Sequence, residues 1–388
     1  MKPPARITET FGESVIREMT RLCDAVGGIN LAQGFPDFDT PEPFKEAAIA
    51  AIRAGRNQYP VTFGEPVLRE RIAAKARRYN GIACDPATDI TVCCGATEAM
   101  LSALKALINP GDEVVVFEPF YENYGPDAIL SGATPRFVAL HAPDWSFDPA
   151  ELAAAFNERT KAIIINTPNN PTGKVFTRAE LAQIAALCLK WDAYAVTDEI
   201  YEHLLYDGAE HVSLAALDGM AERTVTVNSV SKTYSATGWR VGWAIAAAPL
   251  TARIRKVHDF VTVGAPTPFQ HAAAELLSRP DEYYSSLAET YRQARDFFLP
   301  GLRECGFSFT APRGAYYVMT EVGPLRARFG AADDERFSRL LLDQAGVATV
   351  PGSAFYSVPA RGRDQVRFCF CKKLSTLSTA LERLKKAL

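Results

Sequence analysis

A lysine is a nucleophile only when neutral, and burial or nearby cations are what lower its pKa far enough. Lys232 lies in NSVSKTYSATGWRVG, residues 228–242, a run rich in hydroxyls with Trp239 and Arg240 close behind. Most lysines are simply solvated, so the residue alone carries little. Its neighbours carry more. Ser229 and Ser231 offer hydroxyls, and Arg240 offers a planar, permanently charged fork that matches phosphate. The stretch therefore predicts that Lys232 holds a phosphate-bearing cofactor covalently.

Three other words suit the same site. CGATEAM follows an apolar run and opens a helical pattern, so Gly95, Ala96 and Thr97 form a corner whose free N–H groups suit phosphate. An ordinary strand-to-helix turn reads the same way. VTDEIY puts Asp198 at the end of an apolar strand, where a carboxylate is costly without a cation or donor beside it. A protonated pyridine nitrogen is such a partner, and Tyr201, three residues on, can aim its hydroxyl at a ring oxygen. Taken alone, the word reads more simply as a helix N-cap aspartate. NTPNNPTG reads as a turn that brings Asn170 to the same region.

These residues need elements to hold them. DITVCC, DEVVVFEP, TKAIIINTP, AYAVTDE, TVTVNS and VGWAIAA read as strands. Helical patterns follow several of them, at Thr97–Leu107, Tyr121–Leu130, Arg178–Lys190 and about Pro249–Val261. Continuous apolar strands alternating with helices imply a mostly parallel sheet covered on both faces. Ligands of such sheets sit beyond the carboxyl ends of the strands, where all the polar words lie. After about residue 280 the pattern changes to a long helix, Asp281–Cys305, then scattered strands at FSFTAP, YYVMTE, VATVPG and QVRFCFC. The expected architecture is α/β: an N-terminal arm (1–44), a large domain (45–280) and a smaller α+β domain (281–388).

Composition narrows the function. The 388 residues are 48% hydrophobic and 22% charged, with a net charge of −3. That is ordinary for a globular chain of two or three domains. No basic stripe suggests nucleic acid, no apolar run approaches a membrane span, and the N-terminus lacks the apolar core of a secretory signal. The eight cysteines are Cys23, Cys84, Cys93, Cys94, Cys188, Cys305, Cys369 and Cys371. None has C-x-x-C spacing, so no metal or redox site is expected. They read as small hydrophobes of a reduced, cytoplasmic protein.

NNPTG, TDEIY, SVSKTYSATGWRVGW and RFCF occur in an order and at separations that resemble the class I/II aminotransferases among the fold-type I pyridoxal 5′-phosphate (PLP) enzymes. The resemblance runs from about residue 28 to the C-terminus. It implies a seven-stranded, mostly parallel sheet in the large domain. It also implies roles. Lys232 joins the PLP aldehyde and shuttles the proton. Asp198 keeps the pyridine nitrogen protonated, and Tyr201 and Asn170 hydrogen-bond the ring oxygen. Ser229, Arg240 and the Gly95–Thr97 corner anchor the phosphate, and Tyr121 stacks on the ring. Arg367 clamps the substrate α-carboxylate, helped by Asn170 and the backbone at Gly34. Tyr59 reaches the phosphate across a homodimer interface, so the active site is shared between two chains.

LAQGFPDF, NQYPVTFG, EPFYENY and VRFCF look closest to the kynurenine/glutamine/methionine branch. Its members act on aromatic, sulfur-containing and some branched amino acids. Dicarboxylate-specialised relatives carry a second arginine near the stretch matching FVTVGAPTPFQ (260–270), and this chain has none there. A neutral side-chain pocket is expected, with Phe35, Phe63, Trp239 and Tyr316 as possible walls. The competing enzyme class is a cysteine-conjugate or carbon–sulfur β-lyase on the same scaffold. A sensor domain of this fold would need a DNA-binding unit, for which there is no room before residue 28. A Schiff-base aldolase barrel would leave Arg240, Asp198 and the Gly95 corner unexplained.

Overall fold

The computed structural model describes residues 2–388. A short strand, β1 (Ile29–Asn30), follows the N-terminal helix Val15–Ala25. The next strands are β2 (Ile90–Cys93), β3 (Glu113–Glu118), β4 (Thr134–Ala139), β5 (Thr160–Asn166), β6 (Tyr194–Asp198), β7 (Thr224–Ser229) and β8 (Gly242–Ile245). These seven form one sheet in the order β2-β8-β7-β6-β5-β3-β4. All its pairings are parallel except the two made by β8.

The apolar runs became strands because the sheet is buried on both faces. Every residue of β2, β3, β7 and β8 is buried. Helices cover those faces, and their ends are locally determined. The Arg178–Lys190 helix begins at a capping box, in which Thr177 Oγ1 accepts from Glu180 N and Glu180 Oε2 accepts from Thr177 N. That pair satisfies donors a helix start leaves free.

The C-terminal part is built on the helices Asp281–Glu304, Asp334–Ala345 and Leu374–Ala387. They pack around an antiparallel sheet of β9 (Tyr317–Glu321), β11 (Val350–Pro351) and β12 (Gln365–Cys369), in the order β11-β12-β9. Between them, β10 (Val347–Ala348) pairs in parallel with β1. That pairing ties the chain start to the C-terminal unit.

Several local expectations need correction. VGWAIAA forms β8, but it runs antiparallel to both neighbours. The helix after EPFYEN starts at Tyr124, leaving Tyr121 in the preceding turn. FSFTAP is not a strand, because only a single bridge, Ser308 to Glu321, joins it to its neighbour. VATVPG splits into two short strands around Thr349. No helix among the described residues is long and apolar enough to cross a membrane.

Candidate active site

Parallel strands β5, β6 and β7 end side by side, and each end carries polar residues. Asn166, at the end of β5, donates from Nδ2 to Asp198 O at 3.0 Å and accepts from Asn170 N at 2.7 Å. One side chain thereby sets the NNPTG turn against the end of β6. Asn228, near the end of β7, donates to Glu199 O at 3.2 Å and accepts from Ser229 N at 2.7 Å. The strand ends are thus fixed by side-chain amides where the ladder stops.

They open into a cavity of about 430 Å³. Gly34, Ala96, Thr97, Tyr121, Asn170, Asp198, Tyr201, Ser229, Lys232, Arg240 and Arg367 all line it. Residues from 34 to 367 in sequence therefore meet in one place. Tyr59 does not line it, and its side chain is 85% exposed.

Lys232 Nζ donates to Gly34 O at 3.0 Å. Loss of hydration among the cavity walls lowers its pKa to about 8, against the opposing pull of Cys371 and Asp198. A useful neutral fraction therefore exists at mildly alkaline pH, which a nucleophile or base requires. Asp198 is buried, which raises its pKa to about 6. The shift is held there by the Tyr124 hydroxyl, donating to Oδ2 at 2.7 Å, by Ile200 N, donating to Oδ1 at 3.3 Å, and by the charge of Lys232. The Ile200 bond closes a local turn and no helix follows, so the N-cap reading of Asp198 is overturned.

The Gly95–Leu107 helix points its N-terminus at the cavity. Gly95 has φ +80°, and a Cβ there would lie 2.4 Å from Arg240 Nη2. The positive φ favours glycine, and the missing Cβ leaves room for the guanidinium that packs on it. Arg240 itself has φ +55°, a left-handed conformation uncommon for a residue with a side chain. Its Nη1 donates to Thr237 O at 2.9 Å. Gly242 completes the corner, since a Cβ there would lie 2.5 Å from Ala96 N. A guanidinium, helix N–H groups and the Ser229 and Ser231 hydroxyls thus converge in the manner of a phosphate site.

Arg367, on the central strand of the three-stranded sheet, is completely buried. Its Nη1 donates to Asn170 Oδ1 at 2.7 Å, and its Nη2 donates to Ala32 O. Its Nε has no partner among the described residues. Arg367 lines the cavity, and a buried guanidinium that keeps an unpaired donor suits a carboxylate. The phosphate corner, the amine and this orphaned donor together fit PLP with an amino acid beside it.

Some expected neighbours take other places. Of the suggested walls, only Phe35 lines the cavity. Trp239 stacks on Phe269 at 5.1 Å between ring centroids, and Phe63 packs under Arg255. Tyr316 is a core residue whose hydroxyl donates to Gly34 O. The Tyr201 hydroxyl lies 3.0 Å from that of Tyr317. Sequence reasoning missed Arg17, Gln33, Tyr124, Asp127, Asn166 and Tyr317, all of which line the cavity. The signal for Tyr124 was absent because its partner, Asp198, is 74 residues away.

Comparison with known proteins agrees with this geometry. Residues 26–384 match the family model for aminotransferase class I and II. A solved structure of N-succinyldiaminopimelate aminotransferase from Mycobacterium tuberculosis superposes with a TM-score of 0.94 at 39% identity, covering 100% of both chains. Kynurenine–oxoglutarate transaminase 1 of Homo sapiens is 37% identical over 95% of this chain and 94% of its own. The methionine aminotransferase of Escherichia coli is 38% identical over 97% of this chain and 96% of its own. The chain therefore belongs to the class I and II aminotransferases and is a PLP-dependent transaminase of fold type I.

Proposed function

We propose that this enzyme moves the amino group of an L-amino acid with an aromatic, sulfur-containing or otherwise neutral side chain to a 2-oxo acid, with PLP carried on Lys232. One observation carries the site assignment. The desolvated amine of Lys232 shares a single cavity with the buried Asp198 carboxylate, the Arg240 corner and the Arg367 guanidinium. Phe35 in that cavity, and the lack of arginine at 260–270, support a neutral side chain. So do relatives named for methionine and kynurenine.

When bound, PLP supplies a conjugated ring that accepts the electron pair left as the substrate loses its α-proton. Asp198 would keep a proton on the ring nitrogen, an effect of roughly several kcal/mol on the scale of preorganised charges. Tyr201 and Asn170 would hold the ring oxygen, and Tyr121 would pack on the ring. Ser229, Arg240 and the N–H groups of the Gly95–Thr97 corner would hold the phosphate. Arg367, backed by Asn170 and the Gly34 backbone, would orient the substrate α-carboxylate. Lys232 would serve as the base that takes the α-proton and then as the acid that returns it.

We also propose an arm at 1–44, a large domain at 45–280 and a small domain at 281–388. The β1–β10 pairing and the parallel sheet between them support that division. A homodimer, in which Tyr59 serves the partner's phosphate site, is supported by the outward position of that tyrosine. The eight free cysteines support a reducing, cytoplasmic setting.

Borohydride reduction of the purified holoenzyme, followed by peptide mass mapping, tests the central assignment. The expected result is the cofactor mass on the peptide containing Lys232. Lys232→Ala should lose the adduct and amino transfer while keeping its fold. An adduct on another lysine would remove Lys232 from the mechanism.

A further inference from the structure

Tyr317 lines the same cavity as Lys232, Tyr201 and Arg367, yet the cofactor and the α-carboxylate are held without it. It is buried, and its hydroxyl lies 3.0 Å from that of Tyr201. The two tyrosines come from different sheets. Tyr201 follows the end of β6 in the seven-stranded sheet, and Tyr317 begins β9 in the three-stranded one.

Packing holds this contact in place. Tyr317 is opposite Cys369 and Met319 is opposite Arg367 across β9 and β12, so Tyr317 and Arg367 share one face of their sheet. The Arg367 guanidinium lies 4.3 Å from the centre of the Tyr317 ring. The Tyr201 ring meets that of Tyr317 edge-on, with centroids 5.8 Å apart and planes at 86°. Just before β9, Ala315 N donates to Leu204 O at 3.0 Å and Ala315 O accepts from the Tyr206 hydroxyl at 2.5 Å. Those bonds tie the start of β9 to the chain that follows Tyr201. Gly34 closes the other side. A Cβ there would lie 1.8 Å from Tyr317 Oη, so the missing side chain leaves room for the hydroxyl.

The proton inventory fixes the direction of the contact. A phenol carries one proton. Burial raises the pKa of both hydroxyls, against the pull of the Arg367 charge, so both stay protonated through the neutral range. An ionised ring oxygen on the cofactor can only accept. Once Tyr201 gives its proton to that oxygen, it has none left for Tyr317, and the 3.0 Å contact requires Tyr317 to donate. A hydroxyl that accepts a hydrogen bond becomes a stronger donor in its turn.

We infer that Tyr317 is a positioning residue for the cofactor: its hydroxyl donates to Tyr201, turns the Tyr201 proton toward the ring oxygen and strengthens that bond. This rests on the assignment of Tyr201 to the ring oxygen. A donor on that oxygen draws electron density from it. The oxygen then holds less tightly the proton it shares with the nitrogen that links PLP to Lys232. Tyr317 therefore lowers the pH at which that proton leaves.

The absorbance of the holoenzyme, titrated against pH without substrate, reads that proton. It is measured for the wild type, Tyr317→Phe, Tyr201→Phe and the double variant. Tyr317→Phe keeps the ring beside Arg367 and loses only the hydroxyl. The titration midpoint should rise by about half a pH unit, the scale of one neutral hydrogen bond. Tyr201→Phe should raise it further. In the Tyr201→Phe background, Tyr317→Phe should add nothing, because the relay has lost its middle member. An unchanged midpoint in Tyr317→Phe, beside a raised one in Tyr201→Phe, would overturn the inference. So would an equal shift by Tyr317→Phe in both backgrounds. An unchanged midpoint in Tyr201→Phe would instead overturn the Tyr201 assignment on which it rests.

Discussion

Asp198 illustrates what a single residue gives up for chemistry. Burial raises its pKa from 3.8 to about 6, and the Tyr124 hydroxyl, Ile200 N and Lys232 limit the rise. The sign for stability follows directly. A carboxyl with a raised pKa in the folded state binds its proton more tightly there than in the unfolded chain. Folding stability of the cofactor-free protein therefore falls as pH rises from about 4 to about 6, and the loss is complete above that. Two pKa units correspond to about 3 kcal/mol. Asp198→Asn removes the titration while keeping an acceptor for Tyr124. Cofactor-free Asp198→Asn should match the wild type in urea unfolding near pH 4 and exceed it by up to about 3 kcal/mol near pH 8. Equal stability across that range would mean that the carboxylate is solvated without its cofactor. The same substitution should abolish amino transfer, because an amide cannot keep the ring nitrogen protonated.

Behind the catalytic residues, elements are locked by a buried polar network that no single stretch of sequence announces. The Pro66–Lys75 helix passes into a π-type turn, Ala76–Asn80, which brings both Lys75 and Asn80 under the sheet ends. Lys75 Nζ pairs with Glu202 and donates to Asn80 Oδ1 at 2.9 Å. Asn80 donates to Glu202 at 2.7 Å and to Ser213 at 2.8 Å, and Asn228 donates to Glu202 at 2.6 Å. Ser213 and His211 meet Glu199. Burial alone would raise the Glu202 carboxyl, yet the Lys75 ammonium beside it holds it at about 2. Removing one partner of a buried pair costs about 3–5 kcal/mol, whereas replacing both by apolar groups costs much less. Lys75→Met should therefore lower unfolding stability by about that amount, and Lys75→Met/Glu202→Leu should recover part of it. A loss under about 1 kcal/mol for the single variant would show that Glu199 and Glu202 do not depend on Lys75. The strands were legible because fully buried strands are continuous apolar runs, and so were the polar words at their ends. Strand β4, with its half-exposed alternation, was missed because it is an edge. FSFTAP misled because Phe307 packs into the core while the segment makes only one bridge to β9. Lys232, Asp198 and Arg367 could be read from their words. Tyr124, Tyr317 and this network could not, since their meaning comes only from partners far away in sequence.

At the scale of the whole molecule, the chain leaves an apolar surface uncovered. Tyr59 is 85% exposed and Phe260 is 93% exposed, and Val61, Val261 and Val263 are also outward. They share one region: Thr267 Oγ1 donates to Gln58 O at 2.7 Å, and a Cβ on Gly264 would lie 2.6 Å from Pro60. The loop carrying Tyr59 is thus packed against the segment that follows Phe260. Cys94, beside the phosphate corner, points its Sγ to Gly264 O at 3.7 Å, so the patch also borders the active site. Scattered exposed apolar residues are ordinary, but a contiguous group marks an interface. A two-fold pair would bury the same patch on both chains and bring each Tyr59 hydroxyl toward its partner's phosphate site. Phe260→Asp would place a charge in the centre of that contact, at both copies. Light scattering after gel filtration should report twice the chain mass for the wild type and the single chain mass for Phe260→Asp at micromolar concentration. Tyr59→Phe should remain a dimer but release PLP more readily, with a dissociation constant raised by about tenfold, the scale of one hydrogen bond to a charged group. If Phe260→Asp stayed dimeric, the interface would lie elsewhere. If Tyr59→Phe held PLP as tightly as the wild type, the proposed cross-chain role of Tyr59 would fall.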